Sequence, residues 1–427
     1  MDRVRRAAVD TRPLAVRDYR RVLVGQGASQ VGTMVTEVAI PVQIYAMSHS
    51  SLYVGLAGLA GFVPIVVFGL YGGAVADAVD RRLLCLWASL VTWAVTLALL
   101  AQTLLGVGSV GLVIALVAVQ AGGFAIASST RGAIVPRIVP PDLVPAANTL
   151  SFTVSNIAQV LGPLVAGVLV ALPHGFACSY GVDAVLFTMS LYSTVRLPAV
   201  KPVGTPARPG MRAVLDGLRF ISGSPVLVMS FAVDIAAMVL AMPSALFPQA
   251  AAARFHGGIG LLYASVAIGS VLAGLCSGWI ARVRRQGVAL TFAVVGWATA
   301  IALAGFARTL WLAVLLLALA GASDLVSAVY RQTILQTYAP DEMRGRMQGV
   351  FTVVVSGGPR LGDLRAGAMA AATTLGVAWS GSAVLCVALV LAAALAVRPF
   401  WRYDAHATAP AGDGDGAVNA ALEEAAG

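Results

Sequence analysis

The chain has 427 residues, of which 59% are hydrophobic and only 11% charged, and its mean hydropathy is +0.87. That composition excludes a soluble domain and marks a polytopic membrane protein, because its apolar blocks reach the roughly 20 residues that cross about 30 Å of hydrocarbon as a helix. The net charge of +9 does not point to nucleic acid, since the basic residues are scattered in short loops with no helical or aromatic reading surface among them.

The chain opens on a basic arm, residues 1–21, carrying Arg3, Arg5, Arg6, Arg12, Arg17, Arg20 and Arg21. The apolar block that follows is full length and lacks a small-residue cleavage site after a short core, so no signal peptide is expected. With polar loops as punctuation, twelve membrane-spanning helices are predicted: 22–47, 52–76, 83–105, 109–130, 148–171, 175–196, 225–250, 258–281, 288–306, 309–331, 347–373 and 376–397. Blocks of this length fit helices rather than barrel strands, which leave no edge only when closed and need about 9–11 residues each.

An even number of spans puts both termini on one side. If that side is cytoplasmic, all 28 Lys and Arg residues lie on it except Arg254, Arg308, Arg360 and Arg365. This asymmetry sets the orientation of a multi-pass protein of the plasma or inner membrane.

Midway, residues 197–224 interrupt the apolar pattern with Pro198, Pro202, Pro206 and Pro209 among Lys201, Arg208 and Arg212. Proline removes backbone donors and charge is costly in hydrocarbon, so this stretch is expected to be a cytoplasmic linker. It separates a six-helix lobe at 22–196 from a second at 225–398. Within it, Val214, Leu215, Leu218 and Ile221 recur at helical spacing opposite Asp216 and Arg219, which predicts a short helix on the membrane surface. Residues 399–427, rich in Ala, Gly and acid, read as a disordered cytoplasmic tail.

The halves repeat. Arg131 followed by Pro141-Asp142 is matched by Arg331 followed by Pro340-Asp341, and Gly162-Pro163 by Gly358-Pro359. Matched features in order argue for duplication, an architecture in which a substrate site lies between the halves near the midplane.

Several stretches carry functional signals. Between spans two and three, Gly72-Gly73 leads to Asp77, Asp80, Arg81 and Arg82. Small residues let helices approach closely, and a carboxylate there can cap a helix or pair with arginine. This pattern resembles the loop motif of the major facilitator superfamily, although Ala78 stands where a basic residue is usual and Asp80 where glycine is usual. The resemblance implies that Gly73, Asp77, Arg81 and Arg82 form a gating motif that latches the lobes. In span five, Gly162-Pro163 with Gly167 is similar to the helix-five motif of exporters in that superfamily, implying a bend and close packing at the lobe interface. A narrower resemblance covers nearly the whole chain: Val38 to Ile44 around Pro41 and Gln43, Ser48-His49-Ser50, Val54-Gly55-Leu56, Leu335-Gln336-Thr337, Pro340, Met343, Gly345-Arg346 and Gly349 are similar to the enterobactin-exporter family. That resemblance implies a twelve-helix, proton-driven exporter of siderophore-like or amphipathic molecules. Macrolide-type multidrug efflux carriers lie in the same neighbourhood, and a transport-fold sensor without flux is a further alternative.

Ionisable residues inside spans mark sites. Glu37, with Gln30 and Gln43 placed on roughly its side of span one, and Asp234 in the equivalent span seven are candidates for a protonatable pair. Asp183 and Asp324 are weaker ones. Span eleven carries Arg360, Asp363 and Arg365, where Arg360 and Asp363 can meet on one face. A structural network and direct coupling to substrate or protons both remain open for that group.

Other classes find little support. The only lysine is Lys201 in the linker and no GxxxxGK loop exists, so this chain is not itself an ATP-driven pump. His49, His174, His256 and His406 stand singly, without HExxH or GxSxG motifs, so an enzyme is not expected. Cys85, Cys178, Cys276 and Cys386 are isolated packing residues with no metal spacing. No cofactor or metal is expected; the partners are a small-molecule substrate, protons and the lipid bilayer, and the protein is expected to be monomeric.

Overall fold

A computed structural model describes residues 11–78, 81–197, 218–283, 285–338 and 341–397, and among them there is no strand. The long helices are α1 (Arg17–Ser48), α2 (Ser51–Ala78), α3 (Arg81–Leu104), α4 (Val110–Ile138), α5 (Val144–Val170), α6 (Gly175–Val195), α7 (Pro225–Ala241), α8 (Ile259–Leu275), α9 (Gln286–Phe306), α10 (Leu310–Tyr338), α11 (Asp341–Ala372) and α12 (Ser382–Ala396). They fall in order on the stretches read from the sequence. Eight apolar segments, those of α2 to α5, α7, α9, α10 and α12, are long and apolar enough to cross a membrane by length and composition. The other helices fall short for local reasons: α1 and α11 carry charges, α8 is short, and α6 is diluted by Asp183 and by serine and tyrosine. The outer surface presents Leu105, Phe152, Leu275, Trp311 and Leu395, each more than half exposed, an apolar coat that suits lipid rather than water.

The packing repeats from one half to the other. In the first, α1 lies against α5 and α6, α2 against α4, and α3 against α4 and α6; in the second, α7 lies against α11 and α12, α8 against α10, and α9 against α10 and α12. Contact between the halves is carried mainly by α2 with α11 and by α5 with α8. Both seams depend on glycine. A Cβ on Gly55 would stand 2.6 Å from the Asp363 carbonyl oxygen, and one on Gly167 would stand 2.7 Å from the Gly260 Cα. Gly367 abuts the Ser51 carbonyl and Gly357 the Phe62 ring in the same way. Ser51 also donates to Gln249 at 2.8 Å across the seam. The backbone contacts thus gather towards the end of the bundle that holds the turn between α1 and α2.

Four expectations are refined. Spans four and ten do not stop at Arg131 and Arg331, because α4 runs on to Ile138 and α10 to Tyr338. A helix satisfies its own backbone and needs no apolar surroundings to continue. Arg331, expected at the cytoplasmic end of span ten, is only 6% exposed. Span seven is not one helix: α7 ends at Ala241, and the chain continues through a 3-10 turn (Ser244–Leu246), one α-turn (Phe247–Ala250) and a π-turn (Ala251–Phe255). Pro243 and Pro248 each lack the amide proton that an unbroken helix requires. The predicted surface helix is described only over 218–222, where Ile221 is buried and Leu218 exposed. The linker residues 198–217 and the tail from 398 lie outside the described residues.

The glycine seams make a direct prediction. Gly260→Val forces atoms into the Gly167 backbone and should destabilise the protein by about 1–3 kcal/mol. At Gly181 in α6 an added Cβ would meet nothing within 4 Å, so Gly181→Ala should raise stability by about 0.5–1 kcal/mol through helix propensity. Thermal unfolding of the purified protein in detergent distinguishes the two.

Candidate substrate and ion site

One face of α1 carries Gln26, Gln30, Thr33 and Glu37, spaced four, three and four residues apart as a helical stripe requires. The first three, with Ser29, line a cavity of about 220 Å³ inside the first half. Thr92 of α3, Phe124 and Ser128 of α4, Asn148 and Ser151 of α5 and Phe187 of α6 complete its wall. Ser155 donates to Gln30 Oε1 at 2.9 Å, which orients that amide and leaves its N–H donors for other partners. Glu37 follows one turn beyond Thr33 and is solvent-accessible, and the charge of Arg360 on α11 acts on it across the seam.

Gln43 is not part of that stripe. It is 4% exposed, accepts from the Tyr180 hydroxyl at 2.5 Å and donates to Thr103 at 3.2 Å, tying α1 to α6 and α3. Six residues beyond Glu37 turn the helix by about 120° away from it, which corrects the placement of both on one side. Asp183 of α6 lies nearby and is 1% exposed. One of its oxygens accepts from Thr36 at 2.6 Å and Thr96 at 3.3 Å. The other, Oδ1, has no hydrogen-bond partner among the described residues.

In the second half the acids are arranged differently. Asp234 of α7 and Arg331 of α10 form a buried ion pair, 2% and 6% exposed, and Arg331 Nη2 lies 3.7 Å from Asp324. Leu227, Ser230, Phe231, Leu335 and Phe351 enclose the Asp234–Arg331 pair. The structure therefore gives Asp234 a partner in its own half rather than Glu37, on which the charge of Arg360 acts. The pairing was not anticipated because Arg331 was placed at the cytoplasmic end of span ten; the seven-residue spacing from Asp324, two turns along one face, was the available signal.

The charged patch of α11 divides by role. Asp363 accepts from the Ser244 hydroxyl and from the Ala245 amide at 3.0 Å, so it holds the first turn after the α7 break. Arg365 donates to the carbonyls of Val239 at 2.9 Å, Ala378 at 3.2 Å and Met242 at 3.3 Å. Its guanidinium is engaged with backbone. Arg360 and Asp363 both lie against Gly58 of α2, and no hydrogen bond joins them among the described residues. That leaves Arg360 as the cation of the patch placed towards the opposite half.

The side chains of Gly73, Asp77 and Arg81 lie outside the described residues; Arg82 Nη2 donates to the Val195 carbonyl at 2.6 Å, fastening α3 to the end of α6. In α5, Gly162 abuts Met34 of α1, the Pro163 carbonyl abuts Gly260, and Gly167 meets the Gly260 backbone. Among the described residues no group of three His, Cys, Asp or Glu side chains is placed to hold a metal ion.

The Asp234–Arg331 pair is testable by itself. Arg331→Ala should cost about 3–5 kcal/mol, because it leaves Asp234 buried without its partner, and Asp234→Ala should cost less, because Arg331 keeps Asp324 at 3.7 Å. The double variant Asp234→Ala/Arg331→Ala should lose less than the sum of the two, as read from thermal unfolding in a double-mutant cycle.

A model of the transmembrane secretion effector family matches residues 9–424. The enterobactin exporter EntS of Citrobacter koseri is 31% identical over 398 residues, covering 87% of this chain and 90% of that protein. The enterobactin exporter of Shigella boydii is 30% identical over 83% of this chain and 86% of its own length. Among solved structures, the inward-facing bacterial homologue of the lysosomal transporter Spinster aligns with a TM-score of 0.70 at 14% identity, over 92% of this chain and 97% of that one. The nucleoside transporter NupG aligns at 0.67 and 12% identity, over 91% and 100%. The fold is shared with these transporters, and the chain belongs to the transmembrane secretion effector family of the major facilitator superfamily, a family of membrane transporters rather than enzymes.

Proposed function

We propose that the protein is a monomeric, proton-driven exporter of the inner membrane that moves a siderophore-like amphipathic molecule out of the cell by alternating access. The observation that carries this reading is identity of about one residue in three to enterobactin exporters across most of both chains. In this reading all of α1 to α12 cross the bilayer and both termini are cytoplasmic. Lobes at 22–196 and 225–398 flank the linker at 197–224, with the arm at 1–21 and the tail at 399–427 outside them. The seams at Gly55, Gly167, Gly260 and Gly367 then close the outer face, and the bundle opens inward.

Glu37 and Arg360 supply the coupling. They belong to opposite halves, and the attraction between them exists only while Glu37 is ionised. A proton arriving on Glu37 from the outward-open state removes that link, and its release to the cytoplasm restores the link as the outer seams close. Protons moving in therefore bias the cycle that carries substrate out. Asp363 and Arg365 keep the α7 break rigid while this happens.

Uptake of enterobactin into inverted membrane vesicles under an imposed pH gradient tests the reading. Uptake should collapse with a protonophore, and Glu37→Gln should reduce the response to the gradient at least tenfold while the protein still reaches the membrane. Uptake indifferent to the protonophore would remove the antiport claim, and uptake of a macrolide but not enterobactin would move the protein to the drug carriers.

A further inference from the structure

The cavity within the first half has a chemistry that the coupling scheme does not use. Its wall holds the carboxamides of Gln26, Gln30 and Asn148, several hydroxyls and the rings of Phe124 and Phe187, with no ionisable side chain. An anion bound there would meet no cation, so the site selects against negative charge. A carboxamide both donates and accepts, which matches neighbouring hydroxyls or an amide on a ligand. The side-chain amides of Gln26 and Asn148 make no hydrogen bond to protein among the described residues, so their valences are available. Phe187 is 3% exposed and anchored within the wall, whereas Phe124 is 44% exposed at its surface. Phe124 thus offers flat apolar surface of the kind on which an aromatic ring packs.

Size narrows the class further. A volume of about 220 Å³ falls below the roughly 300–1,000 Å³ of pockets that enclose a whole drug-sized ligand. It suits one substituted ring with its amide.

We propose that this cavity binds a neutral hydroxylated aromatic amide, one catechol-amide arm of a larger substrate, and that selectivity for the arm resides here rather than at Arg360. The proposal rests on the exporter reading for the identity of the substrate, and on the geometry of the cavity for its place. It also links recognition to coupling, because Thr33 in the wall is one turn of α1 from Glu37. An arm seated against Thr33 stands beside the carboxylate whose proton drives the cycle.

Isothermal titration of the full-length protein in detergent with 2,3-dihydroxybenzamide, a neutral catechol amide standing for a single arm, tests this without requiring flux. The arm should bind, Gln26→Leu and Asn148→Leu should each weaken it at least tenfold, and Arg360→Gln should change it less than twofold. Desferrioxamine B, a hydroxamate chelator with no aromatic ring, should not compete. Asn148 is exposed, so its variant carries the prediction even if Gln26→Leu fails to fold. Failure of the arm to bind the wild type, binding that is indifferent to both cavity variants, or loss of binding in Arg360→Gln would each overturn the assignment. Enterobactin uptake that persists in vesicles alongside any of those results would show that the exporter reading stands and only the placement of the arm is wrong.

Discussion

A backbone carbonyl inside hydrocarbon has no water to fall back on, and the end of α7 releases several such groups at once. Arg365 answers them. By donating to Val239, Met242 and Ala378 it ties the broken seventh helix to the turn that leads into the twelfth, while Asp363 two residues earlier holds the next turn through Ser244 and Ala245. Around this knot Phe247 packs between Tyr263 and Trp379, with ring centroids 5.0 and 5.5 Å away. The Trp379 indole donates to Ile301 at 3.0 Å. The break thus becomes a fixed junction of α7, α8, α9, α11 and α12, and it places α11 where its other arginine reaches the opposite half.

Much of this was legible in the residues. Apolar blocks gave the helices because helices alone satisfy their own backbone over such lengths, and the ordered recurrence of Arg131 with Arg331 anticipated packing that repeats from half to half. Glycines beside Pro163 announced close helix contact, though not that the partner would be Gly260. What stayed hidden were pairings between residues far apart in the chain. Nothing local says that Arg331 belongs with Asp234, or that Gln43 turns towards Tyr180 instead of towards Glu37. The polar cavity was hidden for another reason: each Ser, Thr or Asn in its wall is unremarkable in a membrane helix, and only their convergence from five helices makes a site.

The halves share a scaffold yet handle polarity in opposite ways. The first keeps uncharged hydrogen-bonding groups around open space, with Asp183 set apart behind Thr36 and Thr96. The second buries its charges in closed networks, Asp234 with Arg331 and Arg365 with carbonyls. In the proposed exporter the first half would then be the one suited to contact with a ligand, and the second the one suited to carrying load.

The crossing of Gly167 with Gly260 has a mechanical meaning. At the crossing point itself the two helices meet through glycine backbone, which has no knobs to withdraw from holes when one tilts against the other. Such a contact rolls instead of ratcheting. It sets the distance between the halves, and in the alternating-access cycle proposed above the crossing would serve as a bearing for them.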